Sequence, residues 1–335
     1  MAAYTFQSIT IEGFKSIRSI KDLPLRPINI LIGANGSGKS NFLEAFVFLK
    51  ECLEGRKDEY VERNGGADKM LHFGSKTTQE LNLNIFSSNC TSIGAYLRYH
   101  ADDSLVGATT EGGFVGTKKP SFRHYQFHDT GFHSPIKKTN QVDDNRFLRS
   151  DGSNLAAFLY LLSQRFRASY ELIRKTVQQV APFFEDFQLE PLARNPNSIK
   201  LEWKHKRSDR YLGASEFSDG TLRFIALATL FLQPVELRPS VILVDEPELG
   251  LHPFAICLLA SLIKQAAFDS QVIVATQSAL LLDYFDPQDI LVADRADGAT
   301  TIQRLDAQRL SEWLKDYSLG QLWEKGELEG TPVSE

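Results

Sequence analysis

A glycine-rich segment near the amino terminus restricts this chain more than any other feature. Residues 33–40 read GANGSGKS, which is the complete GxxxxGK[ST] pattern. The short apolar run INILI at 28–32 precedes it, and a helical pattern from about Ser40 to Leu53 follows it. The sequence therefore predicts a strand, a phosphate-binding loop (the P-loop) and a helix, which together begin a P-loop α/β fold.

Each residue type in the P-loop has a chemical reason. Glycines let the backbone N–H groups point at phosphate oxygens, and the helix amino terminus adds the positive end of its dipole. The lysine brings a cation to the β- and γ-phosphates, and the serine after it offers a hydroxyl to Mg²⁺. With ATP and Mg²⁺ as the predicted ligands, the predicted binding residues are Asn35, Gly36, Ser37, Gly38, Lys39, Ser40 and Asn41.

A second motif consists of four apolar residues followed by two acids, VILVDE at residues 241–246. A buried strand would carry these acids to the carboxyl edge of a parallel sheet, where α/β folds bind their ligands. We predict that Asp245 supports the Mg²⁺ and that Glu246 orients or deprotonates the attacking water. An acid pair after a strand is as often a solvated strand end, and the P-loop is what favours the catalytic interpretation.

Residues 217–221, FSDGT, precede an almost wholly apolar helix, LRFIALATLFL. This signature loop resembles the LSGGQ signature of ABC ATPases, with Phe, Asp and Thr in place of Leu, the first Gly and Gln. The resemblance implies that Ser218 and Gly220 contact nucleotide from a helix amino terminus. A simpler interpretation is that Ser218 or Asp219 caps a buried helix, and the two interpretations are compatible.

The chain continues after the acid pair as PELGLHP at 247–253. This resembles the DEPExxLHP extension of RecF/OLD-like ATPases more than the DEPTSALD of transporters. The run QVIVATQS at 271–278 occupies the switch position, where ABC proteins usually place a histidine and this chain has Gln277. Because glutamine can hydrogen-bond a γ-phosphate or a water but carries no proton at neutral pH, we expect slow or partner-triggered turnover. The predicted catalytic residues are Glu246, Lys39 and Gln277.

Over nearly its whole length the sequence resembles a bacterial group of small, arm-less AAA/ABC-type ATPases of the SMC/RecF/OLD kind. Besides the motifs above, the resemblance rests on the runs YQFHDTGFHSPIK, RFLRSDGSNLAAFLYLL and YSLGQLWEKGELEG. It implies ATP binding and hydrolysis by a homodimer or higher homo-oligomer, in which two heads enclose the nucleotide. It also implies regulation of a partner effector, a nuclease or toxin, in DNA repair or antiviral defence, with DNA as a further candidate partner.

The predicted architecture is a single ABC-like head over residues 1–335, with a mixed sheet, a β-lobe and a helical insertion. Residues 54–212 continue the β-lobe and supply the insertion, which includes one long helix over 154–180. We expect an N-terminal lobe that carries the P-loop. A C-terminal lobe should carry the signature loop, the acid pair and Gln277.

Composition restricts the remaining function classes. The net charge of −5 gives no global signal for nucleic acid. We interpret the short basic clusters as solvated faces, namely Lys118–Lys119, Lys137–Lys138 and residues 204–207. Three scattered cysteines, an N-terminus unlike a secretory signal and the lack of an apolar run of about 18 residues favour the cytoplasm and no membrane contact.

Two other functions stay open. An ABC transporter cassette would share the ATP chemistry, but the LHP extension and Gln277 argue against it. A self-contained OLD-like ATPase-nuclease would need a nuclease domain. About 40 residues follow the predicted last strand, and they contain no DxD pattern.

Overall fold

The structure is a computed structural model that describes residues 6–87, 91–112 and 121–328. In chain order the strands are β1 (Phe6–Phe14), β2 (Ile17–Pro24), β3 (Ile28–Ile32), β4 (Glu80–Ser87), β5 (Ser92–His100), β6 (Ser104–Glu111), β7 (Phe122–Tyr125), β8 (Asn140–Gln141), β9 (Phe184–Gln188), β10 (Ser198–Ile199), β11 (Glu202–His205), β12 (Tyr211–Gly213), β13 (Val241–Asp245), β14 (Gln271–Thr276), β15 (Ile290–Ala296) and β16 (Ala299–Arg304). The helices are α1 (Lys39–Leu53), α2 (Lys57–Arg63), α3 (Leu155–Arg165), α4 (Arg167–Val180), α5 (Asp219–Leu232), α6 (Pro253–Ala266), α7 (Ala279–Leu282) and α8 (Leu319–Glu324).

The chain divides into two compact units. The first comprises residues 1–124, 240–245 and 270–335, and the second comprises 125–239 and 246–269. The basic pair Lys118–Lys119 lies outside the described residues.

A six-stranded sheet in the order β16-β15-β3-β14-β13-β7 forms the centre of the first unit. Strands β15, β3, β14 and β13 are parallel, and β16 pairs antiparallel with β15. Their near-continuous apolar runs are those of strands buried on both faces. Because β13 and β14 pair into the sheet of β3, Asp245 and Gln277 belong with the P-loop. The prediction that they share a C-terminal lobe with the signature loop was wrong. Sheet partners are set by long-range strand pairing, which the sequence does not display.

The antiparallel sheet of the first unit has the order β2-β1-β4-β5-β6, and α1 packs against strands of both sheets. Aromatic side chains fill this core: the Phe14 and Phe48 rings stack with centroids 5.7 Å apart, and Phe6 packs edge-on against Phe122. This packing fixes the direction in which α1 leaves the P-loop.

The second unit contains the apolar helix predicted after the signature loop. Every residue of α5 from Leu222 to Leu232 is buried, and α5 packs against α4 and α6. A three-stranded antiparallel sheet in the order β12-β11-β9 leads into it. The Trp203 ring of β11 stacks on Phe217, which precedes the helix, at 4.4 Å and 16°. The signature loop therefore emerges from an aromatic core.

The predicted helix over 154–180 is two helices. Phe166 has φ −131° and ψ 54°, which ends α3 and lets α4 begin in a new direction. The break suits their different surroundings, because α3 buries most of its first two turns whereas α4 buries the stripe of Tyr170, Ile173 and Val177. Neither glycine nor proline marks the break, so the continuous helical pattern was misleading.

Candidate nucleotide-binding site

The central sheet brings the predicted P-loop, switch and metal residues to one edge. In the register of the parallel strands, Asp245 lies beside Ala275, and Thr276 lies beside Ile32. The P-loop follows β3, Gln277 follows β14 and Asp245 ends β13, so three adjacent strands deliver them side by side. The carboxyl edge of a parallel sheet is where α/β folds bind ligands.

The P-loop backbone fits a phosphate group. Gly36 and Gly38 have φ of 80° and 100°, values that side-chain-bearing residues rarely adopt. A Cβ on Gly33 would lie 2.5 Å from the Ala293 carbonyl oxygen, so the loop also needs glycine for its close approach to β15. Ser37 Oγ is buried and has no hydrogen-bond partner among the described residues. A glycine-rich loop of this conformation ahead of a helix is the arrangement whose backbone N–H groups cradle phosphates.

The last two residues of the P-loop motif, Lys39 and Ser40, both make side-chain hydrogen bonds. Lys39 is buried and donates hydrogen bonds from Nζ to the carbonyl oxygens of Gly33 (2.7 Å) and Ala34 (2.9 Å). Ser40 Oγ donates to Asp245 Oδ2 at 3.3 Å. A hydroxyl and a buried carboxylate at this distance are the oxygen ligands that Mg²⁺ prefers beside a nucleotide, so Ser40 and Asp245 would hold the ion. When bound, Mg²⁺ would neutralise phosphate charge.

Side chains from distant segments support the P-loop. Thr300, on β16, is 1% exposed, and its Oγ1 lies 2.8 Å from the Ser37 carbonyl oxygen and 2.7 Å from Ser16 Oγ. Asn41 Nδ2 donates to the same Ser16 oxygen at 2.7 Å. A Cβ on Gly38 would lie 2.0 Å from Thr300 Oγ1, so glycine leaves room for this hydroxyl. Sequence reasoning missed Ser16 and Thr300, since no local motif marks either residue.

The predicted general base stands at a strained position of the backbone. Glu246 has φ 42°, which is uncommon for a residue with a side chain. It begins a loop closed by hydrogen bonds from the Leu249 N–H to the Glu246 carbonyl (3.2 Å) and from the Leu251 N–H to the Glu248 carbonyl (3.0 Å). Strained residues of this kind cluster at active sites.

The HP dipeptide that ends the same loop has a structural role. His252 is the N-cap of α6, and its Nδ1 accepts a hydrogen bond from the Phe254 N–H at 3.2 Å. Pro253 occupies the first position of the helix, where a missing N–H costs nothing. The LHP extension therefore starts α6.

The signature loop shows the capping interaction that the sequence allowed. Ser218 is the N-cap of α5, and its Oγ accepts from the Thr221 N–H at 3.2 Å. A Cβ on Gly220 would lie 2.4 Å from the Gly250 carbonyl oxygen, so this glycine lets α5 pack against the loop that follows Glu246. Asp219 pairs with Lys137 at 3.3 Å.

A buried arginine joins the signature helix to two other segments of the second unit. Arg223 is 5% exposed and donates from Nε to the Phe127 carbonyl (2.9 Å) and from Nη2 to the His128 carbonyl (3.0 Å). Its Nη1 donates to the carbonyl of Leu249. Burial lowers the pKa of Arg223 below its ordinary value, an effect that the charge of Asp219 partly offsets. Sequence reasoning missed this residue because it stands within an apolar run.

Family models match along this chain. The model described as "AAA domain, putative AbiEii toxin, Type IV TA system" matches residues 103–283, more than half of the chain. The chain belongs to this AAA family. A second model, "AAA ATPase domain", matches residues 6–171. The predicted nucleotide-binding ATPase is thereby confirmed.

Individual relatives agree with this assignment. The AAA protein is 23% identical over 290 residues to "ATP/GTP phosphatase" of Helicobacter pylori, which covers 73% of this chain and 76% of the relative. It superposes on an Smc head bound to the C-winged helix domain of ScpA with a TM-score of 0.66, at 18% identity, over 92% of this chain and 99% of the other. An Smc head bound to the C-terminal domain of ScpA, from Pyrococcus furiosus, gives 0.63 at 17% identity over 93% and 99%. These structural matches confirm the predicted ABC-head fold.

Two features are absent from residues 6–87, 91–112 and 121–328 of the AAA protein. None of the helices there combines the length and apolarity needed to cross a membrane. Those ranges also contain no group of three or more His, Cys, Asp or Glu side chains that could hold a metal ion. Ser40 and Asp245, one hydroxyl and one acid, are a different kind of site that relies on phosphate and water for its other ligands.

Proposed function

We propose that this ATPase binds MgATP through the P-loop residues 35–41 and Asp245, and hydrolyses it with Glu246 as the base. The observation that supports it most is the arrangement of P-loop, Gln277 and Asp245 at three adjacent strand ends of one sheet. Lys39 would move from its loop carbonyls to the β- and γ-phosphates.

The residues around the phosphates divide the chemical work. Glu246 accepts the proton of the attacking water, a role worth about 10²- to 10⁴-fold in rate. Gln277 follows the strand between those of the P-loop and Asp245, so it hydrogen-bonds the γ-phosphate or that water without transferring a proton. We therefore expect slow basal turnover.

We further propose that ATP brings two copies together in the cytoplasm, each P-loop meeting the partner copy's signature loop. Both units then belong to one head over residues 1–335, with residues 54–212 as β-lobe and insertion. In support, Ser218 and Gly220 stand at the amino terminus of a long helix, a favourable place for a phosphate. Dimerisation would control a partner effector, a nuclease or toxin, in repair or defence. The family description names a toxin system, and the Smc-head relatives carry a bound partner, ScpA.

Complementation between two inactive variants tests the composite site. Lys39→Ala and Ser218→Arg should each abolish ATPase activity as pure proteins. In a mixed dimer one site carries both changes and the other carries neither, so mixing should restore part of the rate. The arginine blocks the close approach that a helix amino terminus requires.

A matched control separates the outcomes. As the control, Lys39→Ala is mixed with Arg207→Glu, a charge reversal outside the predicted nucleotide-binding residues. This mixture should show only the activity that the Arg207→Glu protein contributes. Wild-type activity of pure Ser218→Arg would refute the signature assignment. Absence of recovery in heterodimers confirmed by mass would argue that each site lies within one chain. Competition between ATP and GTP would show which nucleotide the site prefers.

A further inference from the structure

A short β-hairpin of the second unit carries charge that the nucleotide site does not use. Strands β11 and β12 pair antiparallel, with Lys204 opposite Tyr211, and residues 206–210 form the connecting tip. The tip contains three cations and one acid, KRSDR, in a chain whose net charge is −5. From this hairpin and the aromatic rings beside it, we propose that the second unit binds single-stranded nucleic acid.

The cations at the tip differ from the other basic clusters. Lys137 pairs with Asp219, and Lys204, which forms the last strand pair before the tip, lies 3.4 Å from Glu185. Lys206, Arg207 and Arg210 are exposed, and within 6–87, 91–112 and 121–328 no acidic side chain pairs with them. Three unpaired cations on one short turn form a local positive field despite the negative chain.

The tip does not need these charges to fold. The Ser208 N–H donates to the His205 carbonyl (3.0 Å), and the Arg207 N–H donates to His205 Nδ1 (3.0 Å). The Arg210 N–H donates to Ser208 Oγ (3.2 Å). Backbone and neutral side-chain bonds therefore define the turn, which leaves the cationic ends available for a ligand.

Exposed aromatic rings lie next to the cations. The Phe183 ring is 40% exposed and stacks on His205 with centroids 5.8 Å apart and planes at 13°. The Phe183 carbonyl accepts from the Lys206 N–H at 2.9 Å, so the residue that carries this ring is a direct neighbour of one that carries a cation. Tyr211 is 58% exposed, and its register places it on the sheet face opposite to that of the buried Trp203.

This combination favours a single strand over a duplex. Cations that follow a phosphate backbone, together with exposed rings on which unpaired bases stack, are the general means of binding single-stranded nucleic acid. In a duplex the bases are already stacked on each other, so the rings would add nothing. The hairpin belongs to the second unit and the P-loop to the first, and we expect the ligand of the hairpin to bind without nucleotide.

Fluorescence anisotropy with a labelled 20-nucleotide DNA strand of mixed sequence tests the proposal directly. We expect binding at low salt that weakens as salt rises. The combined variant Lys206→Glu/Arg207→Glu/Arg210→Glu should lower the affinity at least tenfold. It should also reduce the salt slope by about two, roughly 0.7 for each of three phosphate contacts. Phe183→Leu and Tyr211→Leu should each weaken binding about fivefold or more.

A scattered triple reversal of Lys21, Lys76 and Lys315 to Glu makes the same change in net charge on exposed residues of the first unit. It should leave the affinity within about twofold, and thermal melting should show all variants folded. An equal loss in this control, or no binding by the wild-type chain, would overturn the proposal. Duplex binding as tight as that of the single strand, with no effect of the aromatic changes, would point to a nonspecific polyanion surface instead. ATPase activity should survive the hairpin variants, so this test can fail independently of the proposed function.

Discussion

The P-loop in the first unit and the signature loop in the second unit are both supported by side chains distant in sequence, but the supports differ in kind. Neutral hydroxyls support the P-loop: Thr300 bonds to the Ser37 carbonyl and to Ser16. A buried guanidinium supports the helix that follows the signature loop. Arg223 donates to three backbone carbonyls and forms no salt bridge with a carboxylate of residues 6–87, 91–112 or 121–328.

The energetic consequences of the two supports differ as well. A neutral hydrogen bond contributes about 1 kcal/mol net, so the hydroxyl network can adjust when the loop binds phosphate. A buried charge has already lost its hydration, and removing its partners or the charge itself leaves buried polar groups unsatisfied. We infer that damage near Thr300 affects nucleotide affinity first, whereas damage at Arg223 affects folding first.

Glu246 is the first residue of the second unit after β13. Its substitution should have the largest effect on the reaction. Glu246→Gln should lower kcat by about 10²- to 10⁴-fold because the amide cannot accept the proton. KM should stay within about threefold, as measured by steady-state ATPase assays. Glu248→Gln is the matched control, with the same charge change two residues later, and its kcat should fall less than tenfold. Full turnover by Glu246→Gln would remove this residue from the role.

Arg223→Met should have the next largest effect, and on stability. It removes five donors and leaves the carbonyls of Phe127, His128 and Leu249 without this partner, so the free energy of unfolding should fall by about 3 kcal/mol or more. Urea denaturation measures this change. Arg223→Lys should recover part of it, and the exposed control Arg207→Met should stay within about 0.5 kcal/mol of wild type.

Nucleotide binding by the folded Arg223→Met variant tests whether the P-loop is supported independently of Arg223. If the two regions are supported separately, folded Arg223→Met should bind a fluorescent ATP analogue with near wild-type affinity and hydrolyse it poorly. A loss of affinity equal to the loss of hydrolysis would show that Arg223 also supports the P-loop, and the distinction between the regions would fail.

The two regions also differ in how far the sequence predicts them. The P-loop and the strand ending at Asp245 could be found because phosphate binding and buried strands impose local patterns. The same holds for α5, whose apolar run follows a capping serine. These predictions needed only residues within a few turns of each other.

The side chains that support these two loops could not be predicted from local sequence patterns. Thr300 and Ser37 are 263 positions apart, and Arg223 and Phe127 are 96 apart. Neither a lone threonine on a strand nor a lone arginine in an apolar helix indicates its partner. Long-range pairing also placed β13 and β14 in the sheet of β3, contrary to the predicted lobes. The break at Phe166 has no local signal of any kind.

Thr300→Val should have a moderate effect that falls on nucleotide binding. The change keeps the shape of the side chain but leaves the Ser37 carbonyl and Ser16 without this hydroxyl, at a cost of about 1 to 2 kcal/mol. We expect roughly tenfold weaker ATP binding by isothermal titration calorimetry. Thr300→Ser should restore most of the affinity because it keeps the oxygen.

The adjacent residue offers a matched control. Thr301 is exposed on the same strand, and Thr301→Val should change both affinity and stability by less than about 0.5 kcal/mol. If Thr300→Val lowers the melting temperature but leaves ATP affinity unchanged, the hydroxyl supports β16 rather than the P-loop.

The smallest expected effect distinguishes the two interpretations of Ser218. Because Ser218 is an N-cap, Ser218→Ala should lower the free energy of unfolding by about 1 kcal/mol. Ser218→Asn should lower it little because asparagine also caps well. Ser218→Asp should be at least as stable as wild type, since a negative charge is favourable at a helix amino terminus. The same charge would repel a γ-phosphate. If Ser218 also contacts nucleotide, the Ser218→Asp protein should therefore stay folded but lose its ATPase activity. Activity of Ser218→Asp close to wild type would leave Ser218 as a cap alone, and the signature loop would then differ from the P-loop in function as well as in its support.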